Sequence, residues 1–176
     1  MLKGINETNS TKKVLVITDI KHEFQQHLPE LLKLEASKLL VLSSIDAAIT
    51  QPYGCLVRNI ILEIYQENVE QIYLIASKEH TSPKFNKTIM LDKFEKDGID
   101  LRLIQAIDYS RIVGEDVLSW LNGSENDIEQ TLMQSLDILI KHPLVPKRVS
   151  ISAYTVNMES GYLNEVEVKN PEKDIC

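Results

Sequence analysis

The amino-acid sequence predicts an α/β fold: a mainly parallel central sheet with helices on both faces and an antiparallel edge strand. Two observations predict it. Three short runs rich in Val, Ile and Leu, at 14–18, 39–42 and 72–76, alternate with stretches of helical periodicity. The chain then ends in strand, turn, strand. Strand–helix–strand repeats connect parallel strands by right-handed crossovers, and continuous apolar runs suit strands covered on both faces.

The elements follow in order. Val14-Leu15-Val16-Ile17-Thr18 is the first buried strand. Leu28, Leu31, Leu32 and Leu34 mark a short helix, with Pro29 suited to its first turn. Leu39–Leu42 is the second strand. Cys55 to Asn68 is the clearest helix, with apolar pairs Leu56/Val57, Ile60/Ile61 and Ile64/Tyr65 on one face. Ile72–Ala76 is the third strand. Phe85 to Asp97 fits a helix stopped by Gly98. Leu101–Ile107 fits strand and helix equally by periodicity. Gly114–Leu121 fits a short helix, and Ser124 is expected to cap a long one through Lys141, with the stripe Ile128, Leu132, Leu136, Leu139. Val149–Val156, a turn over 157–161 and Tyr162–Val168 form the closing hairpin.

At 176 residues the chain holds one domain, expected over 13–176, preceded by a polar arm at 1–12. Apolar residues make up 43% and charged residues 26%, the balance of a packed globular domain. A net charge of −7 argues against a general nucleic-acid binder and against adhesion to anionic membranes. No apolar run approaches the roughly 20 residues of a membrane span, and Met1 to Lys13 lacks the apolar core of a signal peptide. Cys55 and Cys176 form neither a CxxC pair nor a disulfide framework, so the expected location is cytoplasmic.

Ligands bind at the carboxyl ends of the strands in an open parallel sheet. Those ends lead into Asp19, Lys21, His22 and Glu23, then Ser43, Ser44 and Asp46, then Ser77, Lys78, Glu79 and His80. Three loops carrying carboxylates, imidazoles and hydroxyls are therefore expected to converge. Polar strand-to-helix loops also arise for helix capping alone. The dispersed glycines write no GxGxxG or P-loop, and neither a GxSxG elbow nor an HExxH pattern occurs.

Several segments together carry a family resemblance: Ile49-Thr50-Gln51-Pro52-Tyr53-Gly54 with Arg58, Ile72–Ala76, Gly114–Leu121, His142-Pro143-Leu144-Val145-Pro146, and Ala153-Tyr154 with Ser160-Gly161-Tyr162-Leu163. From about Lys13 to Glu167 the chain resembles the β-class carbonic anhydrases, particularly the short prokaryote-type members. The family's Cys-x-Asp-Ser-Arg motif falls on 19–23. Its zinc-ligand Cys corresponds to Asp19, its catalytic Asp to Lys21 and its Arg to Glu23. The His-x-x-Cys-Gly motif falls on 77–81, with the ligand His at Ser77, the ligand Cys at His80 and the Gly at Thr81. The Asn-Ala-Gly segment becomes Ser44-Ile45-Asp46.

All three ligand positions thus differ from the family's. A catalytic zinc needs three protein ligands and an open position, and it brings the pKa of bound water from about 15.7 down to about 7. A neutral serine hydroxyl is a poor substitute for thiolate or imidazole. The resemblance therefore implies a homodimeric carbonic-anhydrase-like protein without cofactor or hydratase activity. It would bind a small anion such as bicarbonate, or another protein. An Asp19–His80 ion pair is expected in the place of the metal. The competing reading is a metalloenzyme of the carbonate dehydratase type, holding zinc through Asp19, His80 and either His22 or Asp46. The helix at 55–68 is the expected dimer contact.

Overall fold

The computed structural model describes residues 12–78, 85–112, 116–122 and 127–166. Five strands form one sheet: β1 (Lys13–Thr18), β2 (Leu39–Ser43), β3 (Val69–Ser77), β4 (Ser150–Asn157) and β5 (Tyr162–Glu165). Their order is β2-β1-β3-β4-β5. The first four run parallel, and β5 pairs antiparallel with β4. Seven α-helices are described: α1 (His22–Gln25), α2 (Leu28–Leu32), α3 (Cys55–Gln66), α4 (Lys87–Lys96), α5 (Leu101–Ser110), α6 (Val117–Asn122) and α7 (Ile128–Lys141).

The sheet is covered on both faces, as the continuous apolar strands require. On one face Leu15, Ile17, Ile72, Leu74 and Ala153 pack with Val57, Ile60 and Ile64 of α3 and with Leu132, Leu136 and Leu139 of α7. On the other, Val16, Ile75 and Val156 pack with Ile20 and with Leu28, Leu31 and Leu32 around α2. Each fully buried Leu, Ile or Val contributes about 1.5–3 kcal/mol relative to exposure, so these two clusters dominate the stability.

Several sequence boundaries move. The helix expected to reach Asn68 ends at Gln66, and Asn68 takes a left-handed φ of 55° that turns the chain into β3. That strand starts at Val69, three residues before the apolar run, because Val69 and Gln71 pair with Lys13 and Val14 of β1. The ambiguous stretch at 101–107 is helical, its start set by Asp100, whose carboxylate accepts the Arg102 N–H at 2.8 Å. The long helix is capped by Asp127, which accepts the Gln130 N–H at 2.9 Å, and not by Ser124; α7 begins at Ile128. Pro29 lies in the first turn of α2, and Gly98, with φ 81°, follows α4 as expected. In the hairpin turn Asn157 Oδ1 accepts from the Ser160 N–H and hydroxyl, both at 2.8 Å, and Gly161 takes the left-handed φ of 66° that favours glycine. The proposed arm at 1–12, apart from Lys12, lies outside the described residues, as do Glu79, His80, Thr81, Ser124, Glu167, Val168 and Cys176.

The helix α3, the expected dimer contact, has one face in the core and one in solvent. Ile60 and Ile64 are fully buried in the chain's own core. The apolar side chains that α3 exposes are Leu62 and Tyr65, and the Tyr65 hydroxyl donates to the Leu144 carbonyl at 3.1 Å.

Candidate functional site at the strand ends

Parallel pairing brings the carboxyl ends of β1, β2 and β3 side by side, so the residues just past them must meet. They do so around a shallow cleft of about 220 Å³ lined by Thr18, Asp19, Ser43, Ser44 and Ile45. Asp19 leaves β1 half-buried, and its Oδ1 accepts the backbone N–H of Ser77, the last residue of β3, at 2.9 Å. Ser77 is fully buried. The carboxylate therefore spans the ends of two neighbouring strands. A hydrogen bond to a charged acceptor in such a place is shorter and stronger than a neutral one.

The rest of the cleft is held by hydroxyls and amides. Thr18, fully buried, accepts the Ile20 N–H on its Oγ1 at 3.1 Å. Its carbonyl accepts the Ser44 N–H at 2.9 Å, which ties the β2 exit to β1. Ser44 Oγ donates to the Ala48 carbonyl at 2.8 Å and closes the loop on itself. Within that loop Asp46 and Ala47 both adopt left-handed backbone, with φ of 55° and 51°. A non-glycine residue pays strain there, so neighbouring contacts must impose the turn. One such contact is the Ile49 N–H, which donates to the buried Ser135 Oγ at 2.9 Å, while that hydroxyl donates to the Thr131 carbonyl. Gln25 of α1 donates through Nε2 to the Ile20 carbonyl at 2.9 Å and to Ser43 Oγ at 3.0 Å.

Of the residues singled out from sequence, Asp19 and Ser77 are thus brought into contact, and Ser43 and Ser44 share their cleft. Asp46 lies in the same loop, two residues past Ser44. Lys21 and His22 are exposed, and His22 Nδ1 lies 3.4 Å from Gln25 Oε1. Glu23 is placed in α1, and its side chain lies outside what is described. His80 lies outside the described residues, so the expected Asp19–His80 pair does too. Sequence reasoning missed Thr18, Gln25 and Ser135. Only Thr18 carried a signal, a hydroxyl residue ending an otherwise apolar strand.

Two of the three positions that the resemblance assigns to zinc ligands, Asp19 and Ser77, are described, and the third, His80, lies outside the described residues. Asp19 spends one oxygen on the Ser77 amide, and Ser77 offers only a neutral hydroxyl. Among the described residues, no three His, Cys, Asp or Glu side chains come together to hold a metal ion. The described helices also include none long and apolar enough to cross a membrane.

A parallel sheet with helices on both faces, an antiparallel closing strand and a polar cleft at the strand ends define an open α/β protein with its candidate site at the carboxyl edge of the sheet. The chain is 34% identical over 166 residues to the carbonic anhydrase-like protein YbcF of Bacillus subtilis, covering 91% of this chain and 90% of that protein. It is 26% identical over 153 residues to Bacillus subtilis YtiB, provisionally named a carbonic anhydrase, covering 87% and 80% of the two chains. The β-carbonic anhydrase isoform I of Trichomonas vaginalis superposes with a TM-score of 0.69 at 14% identity, over 94% of this chain and 87% of that one. No protein-family model matches the chain. The chain belongs to the β-carbonic anhydrase family.

Proposed function

We propose that this family member works without a zinc site and without hydratase activity, as a homodimeric module that binds a small anion such as bicarbonate or another protein. The observation that carries the reading is the Asp19–Ser77 hydrogen bond. Two positions that would each present a zinc ligand are instead bound to one another, carboxylate to backbone amide. Without a metal, water near pH 7 supplies essentially no hydroxide for hydration of carbon dioxide.

The cleft suits a small polar guest. Ser43 Oγ accepts from Gln25 and can still donate its own proton, and Lys21, two residues past Asp19, adds an exposed cation on the same loop. Support for a second copy comes from the helices after β3. Leu103 and Tyr109 on α5, Ile112 just beyond it and Trp120 on α6 are all exposed. A second copy seated on these helices would remove part of that apolar surface from water. A cytoplasmic location remains part of this reading.

Metal analysis of the purified protein tests the first half. Less than one zinc per chain after dialysis against a weak chelator, with no carbon dioxide hydration above buffer, is the expected result. One tightly held zinc per chain would overturn it and favour the rearranged metalloenzyme, with Asp19 as the first ligand to substitute. Sedimentation at micromolar concentration tests the second half: a 40 kDa species is expected from the 20.1 kDa chain, and a monodisperse monomer would refute the homodimer.

A further inference from the structure

We infer a second ligand site, a small cavity between α1–α2 and the β4–β5 hairpin, built for an uncharged one-ring aromatic molecule that carries a hydroxyl. Its volume is about 150 Å³. It shares no lining residue with the cleft around Asp19.

Short helices and a glycine turn leave this space in the second core. α1 and α2 have only four and five residues with which to cover the sheet face of Val16, Ile75 and Val156. Ile20, Leu28 and Val156, almost fully buried, form the floor of the cavity. Leu31 of α2 and Met158 of the hairpin turn pack against the same cluster and wall the cavity from two sides. Beside them the turn presents Gly161, whose left-handed φ of 66° favours glycine. A Cβ at that position would meet Leu31 Cδ1 at 3.8 Å and narrow the cavity.

The lining selects the class of guest. Among the lining residues only His27 has a polar side chain. Water gains little between walls that offer it so few partners, so an apolar guest of the right size displaces it favourably. Apolar cavities of about 150 Å³ lined by Leu, Ile and Phe take up benzene, whereas drug-sized ligands fill clefts of about 300–1,000 Å³. Phe24 and Met158 favour an aromatic guest over an aliphatic one, through ring–ring and sulfur–ring contacts. His27 stands between α1 and α2, held by its carbonyl, which accepts the Leu31 N–H at 2.9 Å. Its imidazole is exposed and makes no hydrogen bond or ion pair among the described residues. A hydroxyl suits that ring in either tautomer, because it donates to a bare nitrogen or accepts from a protonated one. No Lys or Arg lines the cavity, so a carboxylate or phosphate would enter without a fixed counter-charge.

The test follows the ¹³C-labelled methyl groups of the full chain by NMR during titration with phenol, benzene and benzoate. Phenol should shift the Ile20, Leu31 and Met158 methyls saturably, with a dissociation constant on the order of 1 mM. The methyls of Leu132 and Leu136, on the opposite sheet face, should stay in place. Benzene and benzoate should each bind about tenfold more weakly than phenol. His27→Leu keeps the bulk of an exposed side chain and removes its hydrogen bonding. It should bring phenol down to the affinity of benzene and leave benzene binding unchanged. Failure of phenol to shift these methyls saturably, equal binding of phenol and benzene, benzoate binding as tight as phenol, or phenol binding indifferent to His27→Leu would each overturn the proposal.

Discussion

Replacing Asp19 by Ala separates a structural carboxylate from a metal ligand. The half-buried Oδ1 accepts the Ser77 N–H at 2.9 Å, and Ser77 has no exposed surface. Removing the acceptor leaves that amide buried and unbonded between two strands. Loss of a hydrogen bond to a charged group costs about 1.5–3 kcal/mol, and about 2 kcal/mol is the fitting value for a carboxylate at the cleft edge. For a chain of this size, that lowers the melting midpoint by about 4–8 °C. Asp19→Asn keeps an oxygen at the same place and should lose less than half as much. The assay is thermal or urea unfolding in the presence of a chelator, at one fixed protein concentration because dimerisation would add to apparent stability. A metal ligand would show no such loss in chelator, since its metal is already gone. An Asp19→Ala midpoint within about 1 °C of the parent would refute the strut, and an Asn variant as unstable as the Ala variant would refute the acceptor argument.

Two further outcomes are expected. Ser135→Ala strips the buried Ile49 N–H of its acceptor and should cost about 1–3 kcal/mol, with faster hydrogen exchange at Ile49; unchanged exchange there would count against the contact. Burial, then the neighbouring Tyr154 and Glu165, push the Tyr73 hydroxyl above its ordinary value. A folded-state value above the unfolded one means that this contribution to stability is complete below about pH 10 and fades as pH rises through the folded value. Tyr73→Phe should therefore remove the highest tyrosinate step from the ultraviolet titration, and Glu165→Gln should lower it.

The fold was readable where burial alone sets the pattern. The strands at 14–18, 39–42 and 72–76 are buried or half-buried throughout, so their apolar runs announced them. The start of β3 was not announced, because Glu70 and Gln71 are polar, and the strand is extended by the pairing of Val69 and Gln71 with β1 and of Gln71 with Ser150 of β4. Periodicity could not decide 101–107, yet Asp100 directly before it held the answer as a cap. Ser124 and Asp127 are equally good cap residues; the stripe that starts at Ile128 favours the one immediately before it. At the site, the meeting of the strand ends followed from parallel topology. The roles of Gln25 and Ser135 did not, since their partners Ser43 and Ile49 lie 18 and 86 residues away in sequence. Nothing in the letters Ile45-Asp46-Ala47 signals two successive left-handed residues, because contacts elsewhere impose them.

The strand order also sets a timetable for the growing chain. β1, β2 and β3 are all made by residue 77, and they can pair as soon as they leave the ribosome. The β4 strand that covers the outer edge of β3 begins only at Ser150. At about 5–20 residues per second, the edge of β3 waits roughly 4–15 s for its partner. That edge belongs to a nine-residue strand that includes Ile72, Leu74 and Ile75, and until β4 arrives it presents a row of unpaired backbone groups to other chains. Truncation before Ser150 should therefore yield aggregation-prone chains, even though the first three strands are complete.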